Sequence, residues 1–267
     1  MKTFLVTNDD GIFAPGLLAF VDVLQHFGKV YVIAPDKERS AISQSITLRQ
    51  PIEAKESNVF GRNVQAWSIN GTPTDAIKLG CDVLIHSPID VVFSGMNLGA
   101  NVGRDLFYSG TVSGAREAIS YDIPAVAVSY DEYDVETVDF QRATKRMYEW
   151  LSLFLEDVVA SRHLWNVNIP ASDDEQYRGM RWATIDLNIQ RYRHMVSKGP
   201  HQRTIYWLTD YRQDVQSLDE QSDLYLLNAH FLTTSTWHPL RLHYEVEAKQ
   251  QWLEKMEHHA LIKRGGY

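Results

Sequence analysis

The sequence predicts an α/β fold: a Rossmann-like, open and mostly parallel sheet with helices on both faces, plus a carboxyl-terminal β-hairpin arm and a terminal helix. Three observations carry this reading. Short apolar runs alternate with helical stretches through the first half of the chain. Polar, carboxylate-rich or glycine-rich segments stand where those runs end. After Pro170 the texture changes to aromatic, arginine-rich alternation.

Residues 3–7 and 30–34 read as buried strands, and 15–27 between them carries Leu17, Leu18, Val21 and Leu24 at helical spacing. Such a βαβ crossover is right-handed and makes its strands parallel, so both carboxyl ends open on one edge of the sheet. A strand at 64–69, a helix at 74–81, a strand at 90–93, a helix at 111–121, a strand at 125–129 and a long helix from about 136 to 155 follow. Farther on, 185–189 and 204–208 read as the two antiparallel strands of the arm. Residues 244–263 place Val246, Trp252, Leu253, Met256 and Leu261 on one face of a docked amphipathic helix. The division is a catalytic domain, 1–170, and an arm or oligomerisation region, 171–267, packed on it.

Composition narrows the functions. With 267 residues and 44% apolar content the chain can bury a full core. A net charge of -8 repels polyanions and argues against a nucleic-acid partner, while leaving room for one small anion in a local pocket. No stretch approaches the roughly 20 apolar residues that span a bilayer, and the apolar start is too short for a signal peptide. The single cysteine, Cys81, allows neither an internal disulfide nor a paired-cysteine metal site; it reads as a small buried residue and fits a reducing cytoplasm.

Four polar segments gather the candidate chemistry. Asn8-Asp9-Asp10-Gly11 follows the first strand and Lys37-Glu38-Arg39-Ser40 the second, so Asp9, Asp10 and Ser40 converge at the carboxyl edge of a parallel sheet. The run from Ser94 to Gly103 is too glycine-rich to be helical and reads as a ligand loop. Adjacent carboxylates repel unless a cation or proton lies between them, and oxygen partners such as Ser40 and Asn97 suit magnesium or manganese better than zinc. Ser109-Gly110-Thr111 opens a helix, which exposes amide groups and a positive dipole end to an anion. Taken singly, Asp-Asp-Gly also serves as a turn and cap, and Ser109 as an ordinary N-cap.

As a set these segments resemble the survival protein SurE family of nucleotidases. The matching text is Asn-Asp-Asp-Gly-Ile (8–12), Ala-Pro-Asp-Lys-Glu-Arg-Ser (34–40), Gly-Thr-Pro-Thr-Asp (71–75), Ser-Gly-Met-Asn-Leu-Gly-Ala-Asn-Val-Gly (94–103) and Tyr-Ser-Gly-Thr-Val (108–112), in matching order and spacing. The resemblance implies a divalent metal held by Asp9, Asp10, Ser40 and Asn97, with Asp9 and Asp10 also catalytic. It implies a phosphate held by Asn101, Ser109, Gly110 and Thr111. It further implies hydrolysis of nucleoside monophosphates, a 5′-nucleotidase activity, and arms exchanged between subunits in a homodimer or homotetramer. Departures are Ala41 where glycine is usual, Ala76 for a common cysteine, and the segment 236–241 with the longer tail.

Rival readings meet obstacles in the residues. An aspartyl-phosphate phosphatase needs a carboxylate where Asn8 stands, and a dinucleotide site needs GxGxxG where two carboxylates would repel pyrophosphate. A non-catalytic nucleotide-binding or assembly protein would lose ligands, whereas all four are present; a phosphatase for short polyphosphate remains open. The histidines show no metal-binding spacing, although His238 could line the site, and Arg39 either meets phosphate or pairs with Asp36 or Glu38.

Overall fold

The computed structural model describes residues 1–134, 138–189, 191–210 and 218–237. Among these, nine strands form one sheet in the order β3-β4-β2-β1-β5-β6-β7-β11-β8, where β1 is Lys2–Thr7, β2 Gly28–Pro35, β3 Ala54–Ser57, β4 Gln65–Ile69, β5 Val91–Leu98, β6 Ala125–Tyr130, β7 Leu164–Ile169, β8 Met180–Trp182 and β11 Leu232–Trp237. The six strands from β4 to β7 run parallel; β3 and β11 are antiparallel to their neighbours β4 and β7. Helices cover both faces: α1 (Pro15–Leu24) and α4 (Phe140–Ala160) on one, α2 (Pro73–Leu79) and α3 (Gly110–Ile119) on the other.

Alternation along β1 explains the layers. Phe4 and Val6 face α1 and α4, where Leu17, Phe20, Met147 and Trp150 are buried; Leu5 faces α2 and α3, with Ile77, Val112 and Ala115. Local chemistry starts each helix. Pro15 stands at the first position of α1, Thr72 and Asp75 form a capping box on α2, Ser109 caps α3 and Asp139 caps α4. No described helix is long and apolar enough to cross a membrane.

The structure corrects several sequence expectations. The strand foreseen at 90–93 continues to Leu98: after a register shift between Ser94 and Asn97, the pairs Asn97–Ser129 and Leu98–Tyr130 resume the ladder with β6. A bulge of this kind re-aims side chains at the strand end. The helix foreseen at 74–81 is α2 followed by a π turn, Gly80–Leu84, which leaves Cys81 only half-buried. The long helix runs five residues past the expected end, to Ala160. Residues 185–189 are not a strand, because Asp186 turns the chain: its carboxylate accepts from Asn188 N (2.9 Å), its carbonyl accepts from Ile189 N (3.0 Å), and Ile189 is buried. The hairpin arm instead pairs β9 (Tyr192–Lys198) with β10 (Thr204–Asp210). The tail helix foreseen at 244–263, the start of the long helix near 136, His238 and part of the 236–241 segment lie outside the described residues.

Beyond 170 the chain also returns to the main sheet through β8 and, after the arm, through β11, which the short helix α5 (Asp223–Asn228) precedes. Asp223 at the start of α5 is fully buried and accepts hydrogen bonds from Gly103 N (2.7 Å) and Leu224 N (3.0 Å), tying α5 to the glycine-rich loop. Burial pushes its carboxyl up to about 6, against the pull of those backbone donors. A raised folded-state pKa means that this group's stabilisation is complete below the unfolded value near pH 4 and is lost as the pH rises through about 6. We therefore expect Asp223→Asn to remove a pH-dependent loss of about 3 kcal/mol between pH 4 and 7. Denaturant unfolding of both proteins across that range checks it; parallel stability curves would rule the assignment out.

Candidate functional site

The strand order reverses direction at β1: its first crossover leads to β2 on one side, and β5 pairs on the other. Open parallel sheets bind ligands outside the carboxyl ends at such a point. A cavity of about 920 Å³ opens there, and Asp9, Asp10, Ser40, Asn97, Asn101 and Ser109 all line it. Six of the eight residues assigned from the sequence thus meet at one place. Gly110 and Thr111 stand behind Asp9 instead.

Asp9 is the most constrained of these residues. Its carboxylate lies against the amino terminus of α3, where Thr111 Oγ1 and the amides of Gly110 and Thr111 donate to it. An added Cβ on Gly110 would stand 2.6 Å from Asp9 Oδ2 and 2.7 Å from Asp9 Cβ, so only glycine admits the carboxylate here. Burial pushes the Asp9 carboxyl up despite these donors. The Asp9 carbonyl also accepts from Arg39 N at 2.6 Å, which draws the loop after β2 onto the end of β1.

Asp10 is more open. Burial, then the charges of Asp9 and Glu38, push its carboxyl up to about 7, and one backbone donor, Leu98 N, works in the other direction. Ser40 is exposed and donates to Glu38 Oε1 at 2.6 Å. Asn97 commits its amide nitrogen to Gly99 O (2.7 Å), which leaves the side-chain oxygen as the atom able to ligate a cation. Ser43 fastens the Ser40 loop to the segment before α3, donating from N to Tyr108 O (2.9 Å) and from Oγ to Phe107 O (2.8 Å).

This donor set fits a hard divalent cation. Two mutually repelling, partly desolvated carboxylates gain from a positive charge beside them, and the hydroxyl and amide oxygens complete an all-oxygen set. Among the described residues no three His, Cys, Asp or Glu side chains converge as a cage, so the neutral oxygens of Ser40 and Asn97 are needed to complete it.

The wall of the cavity that the sequence assigns to phosphate is built on buried amides. Asn101 N donates to Asn168 Oδ1 (2.8 Å), and its carbonyl accepts from Asn166 Nδ2 (2.9 Å) and Asn168 Nδ2 (3.0 Å). Its side-chain nitrogen donates to Ser129 Oγ (2.8 Å), which leaves a second N–H proton for a ligand. Ser109 Oγ accepts from Val112 N (3.1 Å) as the cap of α3, so its hydroxyl hydrogen remains available. Arg39 resolves to a structural role: Nη2 donates to Asn70 O (2.8 Å) and lies 3.7 Å from Asp36.

The cavity has walls that the sequence did not announce. Tyr133, Arg191, Tyr192 and His194 line it. Tyr133 follows the carboxyl end of β6, and that position on the shared edge was the one available signal. Arg191 to His194 sit where the arm begins, behind the turn at Asp186 that had been read as strand.

Comparison with known proteins gives a consistent set of relatives. The family model described as survival protein SurE matches residues 4–192. The chain is 35% identical to the 5′-nucleotidase SurE of Clostridium beijerinckii over 88% of its length and 92% of that protein. It is 36% identical to the 5′-nucleotidase SurE of Neisseria meningitidis over 86% of its length and 90% of that protein. The crystal structure of the Sure protein from Aquifex aeolicus superposes with a TM-score of 0.81 at 29% identity, covering 95% of this chain and all of that one.

Proposed function

This chain belongs to the SurE family, and on that premise we propose that it is a divalent-metal-dependent phosphomonoesterase hydrolysing nucleoside monophosphates to nucleoside and phosphate. The observation that carries the reading is the pair Asp9 and Asp10, set with Ser40 and Asn97 around a cavity whose other polar wall is Asn101 and Ser109. The names of the relatives supply the nucleotide class. Magnesium or manganese fits the all-oxygen ligand set. The lone Cys81 suits a reducing compartment, and we assign the enzyme to the cytoplasm.

Asp9, Asp10, Ser40 and Asn97 would hold the ion, whose charge would offset the negative charge developing on the phosphoryl oxygens and acidify water. The side chains then divide the work. Asn101 and Ser109 orient the phosphate with their unused protons. Gly110 and Thr111 act through Asp9, whose carboxylate they fix. Asp9 is wrapped by donors while Asp10 keeps one backbone donor, so Asp10 is the carboxylate with oxygen lone pairs left free to receive a proton. Asp10 takes the proton of the attacking water, the phosphorus–oxygen ester bond breaks, and the proton passes on to the departing nucleoside oxygen. No phosphoenzyme forms. Purified protein should release phosphate from nucleoside monophosphates with magnesium or manganese and stop in EDTA. Activity that persists in EDTA, or in the Asp9→Ala/Asp10→Ala protein, would sink the assignment.

The working form we propose is a homodimer or homotetramer joined through the β9–β10 arm. Two strands alone cannot bury both faces, and Met195, Val196, Tyr206, Trp207 and Leu208 are each more than half exposed. Exchange of identical arms about a two-fold axis covers such a surface. Light scattering after gel filtration should give at least twice the 30.6 kDa chain mass. A monodisperse particle of one chain mass would remove the model, and a dimer that survives deletion of the arm would relocate the interface.

A further inference from the structure

The metal and phosphate donors recognise what all phosphomonoesters share, so any preference for a nucleoside must come from the neighbouring wall. Tyr133 is placed for that task. Its ring lies on Gly99, where an added Cβ would be 2.7 Å from Cε1, and Gly99 stands between Asn97 and Asn101 in the chain. The ring therefore adjoins both the metal side and the phosphate side of the cavity. Its hydroxyl is fixed as well, accepting a hydrogen bond from Arg191 Nη2 at 2.5 Å.

Arg191 is itself anchored. Its Nη1 donates to Ala100 O (3.1 Å) and lies 3.3 Å from Asp105 Oδ2, and the residue is only 9% exposed. The guanidinium lies 5.3 Å from the centre of the Tyr133 ring and 5.9 Å from that of Tyr192, which also lines the cavity. Tyr133 is nevertheless 55% exposed. An aromatic ring held against Gly99 at its Cε1 and by Arg191 at its hydroxyl, yet left facing a cavity, forgoes burial that the core could give it. It is instead a preorganised stacking surface, which a planar ligand can use without the cost of ordering it.

Resting on the phosphatase reading above, we infer that Tyr133 is the platform on which the nucleobase stacks, and that Arg191 is the positioning residue that holds it. Every base presents a π-face, so the platform selects nucleosides over non-aromatic alcohols rather than one base over another.

The test compares adenosine 5′-monophosphate with glycerol phosphate, both with manganese, in the full-length enzyme. Tyr133→Leu should lower kcat/KM for the nucleotide relative to glycerol phosphate by about tenfold, chiefly through KM, and Tyr133→Phe, which keeps the ring but loses the hydrogen bond from Arg191, should fall between Leu and the unmodified protein. In the unmodified protein, adenosine should inhibit glycerol phosphate hydrolysis at concentrations at which ribose does not, an arm that needs no folded variant. A Tyr133→Leu protein whose two activities fall together or not at all overturns the platform, as does equal inhibition by adenosine and ribose. Unmodified protein that hydrolyses neither ester overturns the phosphatase reading itself, and the platform with it.

Discussion

The site depends on one carboxylate placed where a helix begins. Asp9 ends the apolar course of β1 and is buried against the amino terminus of α3, whose first amides and the Thr111 hydroxyl donate to it. Burial of a charge is costly, and aligned N–H donors with the positive end of a helix offset part of that cost. The same residue's carbonyl holds Arg39 N, so the ends of β1 and β2 and the start of α3 meet on Asp9. Ser40 and Ser109 are brought to the cavity by that junction.

Asp10 has a single backbone donor, Leu98 N, in place of that support, and the two consecutive aspartates differ accordingly. Asp9 is fixed by the backbone; Asp10 is left beside the charges of Asp9 and Glu38 and is pushed up to about 7. On the opposite wall, Asn166 and Asn168 of β7 and Ser129 of β6 bind Asn101 from three sides. Asparagines in a central strand oppose the pattern of a buried parallel sheet, and here their buried amides meet the carbonyl and amide of a loop that has left its own ladder.

Much of this was legible in the sequence, for a physical reason. Crossover handedness and parallel pairing fix which edge carries the strand ends, so Asp9, Asp10 and Ser40 could be brought together from their positions after apolar runs, while Asn97 joined them as a ligand through the family resemblance. Other features were hidden because they depend on tertiary contact. Asp-Leu-Asn at 186–188 has strand-like neighbours but closes a turn through the Asp186 side chain. The ladder between β5 and β6 persists through glycines that read as loop, because β6 supplies the partners. The strands β8 and β11 lack a clear periodic signal of their own and form on the sheet beyond β7. Tyr133 and Arg191 carry no motif; they meet through a contact across 58 residues of chain.

The account turns on Gly110 leaving room for the Asp9 carboxylate. Replacing it with alanine puts a methyl 2.6 Å from Asp9 Oδ2 and must displace that group, while α3 itself gains a better helix former. Calorimetric titration of manganese into folded Gly110→Ala protein, beside the unmodified protein, measures the consequence directly. The account predicts metal binding weakened by at least about tenfold, on the scale of losing an ordered metal ligand's support. Manganese affinity equal to that of the unmodified protein would contradict it.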